Sequence, residues 1–208
     1  MIKCSRWSEL SDSLKFLVNM VHNAHCLTEF RFLNGAPPLG LGIGDQYEEM
    51  RVDQILSRLE ESPQGSTPLC SHIFSVTQQI ENIQDELRAR SQRAIIVIFT
   101  DGIPTDGDIS VALKPLKLLP VTVVLRFCTN DSSLVEYWHN VANDIELDID
   151  VLDNLIGEAK VVYKYNPWLT YADPIHRLRE FGCTSKEIDL LDERPLSLDQ
   201  VRTVCSYL

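Results

Sequence analysis

The chain has 208 residues, 44% hydrophobic and 24% charged, with 19 basic against 30 acidic side chains and a net charge of -11. That length suits one good core, and the composition is that of a soluble globular chain. The acidic balance excludes a nucleic-acid surface, which needs a basic patch, and an anionic membrane surface; no apolar run approaches the ~20 residues that span a bilayer.

The start, MIKCSRWSELSDS, lacks the apolar core of a signal peptide. Cys4, Cys26, Cys70, Cys128, Cys183 and Cys205 are scattered and form no CxxC pair. The expectation is a reduced, cytoplasmic chain with buried thiols.

Leu10, Leu14, Leu17, Val18 and Val21 recur with helical spacing and predict an amphipathic helix over 6–24. LTEFRFLN (27–34) reads as a strand, and the Gly/Pro-rich GAPPLGLGIG (35–44) as a turn with a short strand at LGLGI. Residues 47–60 predict a helix broken by SPQGS. Thr67 and Pro68 form a start signal, a hydroxyl N-cap before Pro at the first helical position. Leu69, Ile73, Val76, Ile80, Ile83 and Leu87 then mark one face of a long helix to about residue 90. AIIVIF (94–99) is apolar without alternation, which suits a parallel strand covered on both faces.

A short helix is expected over 109–118, kinked or ended by Pro115. VTVVLRF (121–127) reads as another buried strand. Leu134, Val135, Trp138, Val141 and Ala142 mark the next helix, capped by Ser132 or Ser133. IELDIDVL (145–152) alternates and reads as an edge strand with Glu146, Asp148 and Asp150 on a solvated face. Residues 157–164 read as a helix.

Short capped helices follow. One runs from Asp173–Pro174 to Gly182, and Thr184 to Glu187 and Ser197 to Gln200 each fit a capping box. Ile175, Leu178, Phe181, Ile188, Leu190, Leu191, Leu198, Val201 and Val204 are too many apolar residues for a free tail. Alternating strands and helices imply an α/β, Rossmann-like, doubly wound fold with a mostly parallel sheet over 1–166. Residues 167–208 are expected to be a helical extension packed on it.

Ligands of open α/β sheets sit beyond the carboxyl ends of the strands. Asp101 lies in that place after the strand 94–99, and a right-handed crossover brings the loop holding Thr67 to the same edge. A hydroxyl and a carboxylate there suit a hard cation such as Mg2+.

GSTPL (65–69), followed by a buried strand ending in FTDGIPTDG, resembles the von Willebrand factor type A domain. The likeness covers roughly residues 6–155 in order of elements and is closest to intracellular members. It implies a doubly wound sheet with a metal-ion-dependent adhesion site, where a cation recognises a partner's carboxylate. By that resemblance Thr67 is the second-loop ligand and Asp101 the third-loop acid, acting through a water. The family's first strand and its Asp-x-Ser-x-Ser loop should precede the first helix, where only MIKCS stands. The expectation is therefore an incomplete site that holds Mg2+ weakly, in a non-enzymatic module that binds a protein partner through an acidic side chain. The central strand would be missing, leaving the strands at 27–34 and 94–99 each short of a neighbour, and the chain marginally stable or dependent on a strand supplied from upstream or from another chain.

Other readings stand beside this one. Thr67 also serves as a plain N-cap, and for this chain that reading leads. Asp101 stands open between a site residue and a plain turn. Asp106 and Asp108 read as turn and cap residues. His22, His25 and Cys26 lack the helical spacing of a zinc site, and Cys70 and His72 point to different helix faces. The alternative in another class is a magnesium-dependent phosphotransferase or hydrolase using Asp101, as in enzymes of the haloacid dehalogenase type. Those need a second acid where Ile103 stands. A fragment without function of its own is the third alternative.

Overall fold

A computed structural model describes residues 6–35, 37–127, 132–145, 149–183 and 185–207. The MIKCS start, Glu146, Asp148 and Thr184 lie outside the described residues. The chain divides into two compact units, residues 1–72 with 102–108, and 73–101 with 109–208.

The first unit holds helix α1 (Arg6–Asn23), strands β1 (Thr28–Phe30) and β2 (Leu39–Leu41), and helix α2 (Glu48–Glu60). The predicted strand at 27–34 is thus only three residues long. It pairs antiparallel with β2, from Thr28↔Leu41 to Phe30↔Leu39, in a two-stranded ribbon of its own and not in the parallel sheet. Two strands bury too little to stand alone. Val18 and Val21 of α1, Phe30 and Leu41 of the ribbon, and Val52, Ile55 and Leu59 of α2 form one core. Ser11 sits inside that packing, its hydroxyl donating to the Leu59 carbonyl at 3.1 Å, so the buried polar group is satisfied.

A carboxylate fixes the end of the ribbon. Glu48 is buried, and it accepts from Gly42 N–H at 2.9 Å and Gly44 N–H at 2.6 Å. His22 Nδ1 lies 3.2 Å from the same carboxylate. The Gly44 and Gly42 amides hold the Glu48 carboxyl below the usual carboxylate range, against its desolvation. Gly42 has φ +79, and a side chain there would run into the Cys26 carbonyl, so only glycine fits.

Helix α3 (Leu69–Ala89) opens in the first unit and continues in the second. The second unit then runs β3 (Ala94–Thr100), α4 (Ile109–Leu113), a 3-10 segment Lys114–Leu118, β4 (Val121–Phe127), α5 (Ser132–Ile145), β5 (Ile149–Leu152) and α6 (Leu155–Tyr165). Helices α7 (Asp173–Glu180), α8 (Lys186–Asp189) and α9 (Leu198–Tyr207) complete it. Pro115 turns the end of α4 into the tighter 3-10 form, as its missing N–H requires.

The sheet is parallel with order β3-β4-β5. Its register runs from Ala94↔Val121 to Thr100↔Phe127 and from Val123↔Ile149 to Arg126↔Leu152. This is an α/β arrangement compatible with a Rossmann-like fold. Strand β4 is central and buried almost throughout. β3 is different: among the described residues it pairs only with β4, and Ile95 is 50% exposed. Its unbroken apolar run therefore does not mean full cover on both faces. Apolar runs of this length read the same on edge and central strands.

The tail is built into the second unit. Val162, Tyr171, Ile175, Ile188, Leu191 and Val204 share a core. Ser197 and Gln200 form the expected capping box, Ser197 N–H donating to Gln200 Oε1 at 3.0 Å and Gln200 N–H to Ser197 Oγ at 3.4 Å. Of the apolar residues that the sequence assigned to the tail's core, Leu178 and Leu198 are exposed, as is Trp168. No helix among the described residues is long and apolar enough to cross a membrane.

Candidate functional site

Asp101 stands exposed immediately past the carboxyl end of β3, in the second unit. Thr67 stands half-buried ahead of α3, in the first. Within the first unit, Thr67 meets the segment that follows Asp101. Thr105 N–H donates to the Thr67 carbonyl at 2.9 Å, and Thr67 N–H donates to Thr105 Oγ1 at 3.1 Å. A Cβ built on Gly102 would lie 3.8 Å from Thr67 Oγ1. Loops 65–72 and 102–108 thus form one ledge. Asn34 supports it from below in sequence, its Nδ2 donating to the Ser66 carbonyl at 2.8 Å.

The cap of α3 is not where the sequence places it. The helix proper opens at Leu69, one residue later than expected, so Pro68, whose side chain carries no acceptor, precedes its first amides. Asp106 supplies one from 36 residues away: Cys70 N–H donates to its Oδ1 at 3.0 Å. Ser71 N–H and Ser71 Oγ each donate to its Oδ2 at 2.8 Å. Asp106 therefore caps a helix, as expected of it, but a distant one rather than the helix that follows. A carboxylate at a helix N-terminus also complements the helix dipole. Desolvation pushes the Asp106 carboxyl up, and the donors from Ser71 and Cys70 outweigh it and hold it at about 2.

Cys70 lies beneath. It is 3% exposed, and a Cβ on Gly107 would lie 3.6 Å from its Sγ. Burial and then the Asp106 charge push the Cys70 thiol up to about 11, the opposite of an activated nucleophile. His72 does not pair with it; its Nε2 lies 3.2 Å from the Leu33 carbonyl. His22 likewise serves α2, within 3.2 Å of both Glu48 and Glu49.

The metal reading can be tested on donors. Thr67 and Asp101 offer one hydroxyl and one carboxylate, whereas Mg2+ takes six oxygens at about 2.0–2.1 Å. Among the described residues, no three or more His, Cys, Asp or Glu side chains gather where they could hold a metal ion. The two residues alone do not enclose a cation.

A second polar cluster went unread in the sequence. Arg179, 2% exposed, donates from Nη1 to Glu158 Oε2 at 2.7 Å and from Nη2 to Asp192 Oδ2 at 2.9 Å and Asp150 Oδ1 at 3.2 Å. Asp150 is therefore not on a freely solvated strand face. Glu158 also accepts the Asp153 N–H at 2.9 Å; burial pushes its carboxyl up, against the pull of Arg179. Beside it, Arg126 Nε donates to Glu180 Oε1 at 2.7 Å, tying β4 to α7. Arg177 Nη1 reaches Glu180 Oε2 at 2.9 Å, and His176 Nε2 lies 3.4 Å from Oε1. Burial raises the Glu180 carboxyl, and the hydrogen bonds and charges of His176 and Arg126 outweigh it, holding it at about 2. The one sequence signal is the density of charge in HRLRE (176–180), which ordinarily marks a solvated face.

Compared with known proteins, the chain matches no family model, no curated protein and no solved structure.

Proposed function

We propose that the chain is a non-enzymatic protein-interaction module of the von Willebrand factor A type, with an incomplete metal-ion-dependent adhesion site. Its contact surface is the ledge of loops 65–72 and 102–108, and the group it recognises is an acidic side chain of a protein partner. The observation that carries this reading is the pairing of those loops through Thr67 and Thr105; the residue that precedes the second loop in sequence, Asp101, leaves the carboxyl end of a parallel strand. Open α/β sheets place ligands at that edge. With Thr67 and Asp101 as its only assigned oxygens, the site holds Mg2+ no more tightly than the millimolar range.

The test is a titration of the labelled chain with a short glutamate-containing peptide, with and without Mg2+, followed through backbone amide shifts. Shifts confined to Thr67, Gly102, Thr105 and their neighbours are expected, and they should grow with Mg2+. An absence of any shift at millimolar peptide would remove the reading. Calorimetry with Mg2+ alone checks the metal: a micromolar dissociation constant abolished by Asp101→Ala would mean that other residues complete the site. Turnover of a chromogenic phosphate ester that depends on Asp101 would replace the module by the enzyme.

A further inference from the structure

We propose that segment 102–108 is a latch, which opens locally while the parallel sheet stays folded and whose closed position gates the thiol of Cys70. The inference deepens the reading of the ledge as a contact surface, since it makes one of the two loops a two-state element. It rests on the geometry of the loops and not on the family resemblance.

The segment buries none of its own side chains. Ile103, its one large apolar residue, is 50% exposed, and Thr105, Asp106, Gly107 and Asp108 are exposed as well. Hydrogen bonds to loop 65–72 help hold it, among them two through Thr105 and three through the Asp106 carboxylate. Polar contacts at a solvated surface are each worth little, and segments without buried apolar contacts open at low free energy. The neighbouring elements differ. α4 begins at Ile109, which is fully buried, and β4 is buried almost throughout. The boundary between a part that can lift and a part that cannot therefore falls between Asp108 and Ile109.

What the latch covers is specific. Gly107 lies against the Cys70 sulfur, and Asp106 occupies the amides of Cys70 and Ser71. Lifting the segment exposes the thiol, removes the carboxylate beside it and frees the first turn of α3 together. Burial and that carboxylate are also the two leading causes that keep the thiol protonated in the closed form. Reaction at Cys70 therefore reports opening.

Iodoacetamide labelling of the full chain, read by peptide mass spectrometry, tests this, with the exposed Cys26 and Cys205 as references in the same tube. In the parent, Cys70 labelling should be slow and nearly independent of urea below the unfolding transition, because local opening exposes little surface. Asp106→Ala should speed Cys70 labelling about tenfold or more while the references keep their rates. Thr105→Val should do the same to a smaller degree. A parent rate that climbs with urea along the slope of global unfolding would overturn the latch. So would an Asp106→Ala rate equal to the parent's. If Asp106→Ala does not fold, the urea series and Thr105→Val decide. No metal or peptide is present, so the latch can fail while the contact surface stands, and the reverse.

Discussion

Two carboxylate clusters hold this chain together in different ways. In the first unit Asp106 accepts from two backbone amides and one hydroxyl at the surface. In the second, Glu158 and Glu180 sit with Arg179 and Arg126 in places that water hardly reaches. The surface cluster joins two loops, and losing it frees groups that water can take over. The buried cluster joins β4, β5 and α6 to α7, and losing one partner leaves the others charged and dry. Carboxylate hydrogen bonds thus serve a movable contact in one place and a fixed joint in the other. Solvent access makes the difference.

The comparison breaks if the tail proves dispensable, and that is the largest effect expected. A chain ending at residue 166 leaves Arg126 without Glu180 and Glu158 without Arg179. It should lose cooperative unfolding by circular dichroism; a truncated chain with the parent's midpoint would make the buried joint irrelevant. Next in size is Arg179→Met. It takes the guanidinium away from the buried Glu158 and from Asp150 and Asp192, and a loss of about 3–5 kcal/mol in urea denaturation is expected from the uncompensated charge of Glu158.

The acid limb sharpens the comparison further. The Glu180 carboxyl is held at about 2 in the folded chain, below its unfolded value. Its contribution is therefore present above the unfolded pKa of about 4.3 and is lost as pH falls through that value toward about 2. Stability should drop over this window, and Glu180→Gln, which carries no titrating proton, should flatten that limb while lowering stability at neutral pH. Asp106 titrates in the same direction, but at the surface, where its share is small. The smallest effect is Asp106→Ala on global stability, about 1 kcal/mol for a lost helix cap, read as a shift in the urea midpoint. A loss as large as that of Arg179→Met would show that the surface cluster is no latch but a joint like the other.

Much of the order of elements was legible. Helical periodicity set α1, α2 and α3, and unbroken β-branched runs set β3 and β4, because apolar spacing directly records which face is buried. The Ser197 and Gln200 box was legible because both partners lie within one turn. The motif pair singled out Thr67 and Asp101; the contact the structure records is that of Thr67 with Thr105, a residue the sequence did not mark. Pro68 was read one residue too far into the helix, and the acceptor for the first free amides, Asp106, lies too far along the chain for the sequence to show it.

What the sequence determined by itself was local: periodicity, turns, caps within a turn, and a net charge of -11. Only tertiary structure decided three things. It left β3 with a single partner among the described residues, because strand pairing depends on which segments arrive beside it and not on its own residues. It took the strand at 27–34 out of the parallel sheet and into a ribbon with β2. And it turned Arg179 inward while Leu178 faces out, against the hydrophobicity of both. A lone residue's preference for water cannot foretell that, because a guanidinium becomes tolerable inside only when carboxylates from distant segments converge on it.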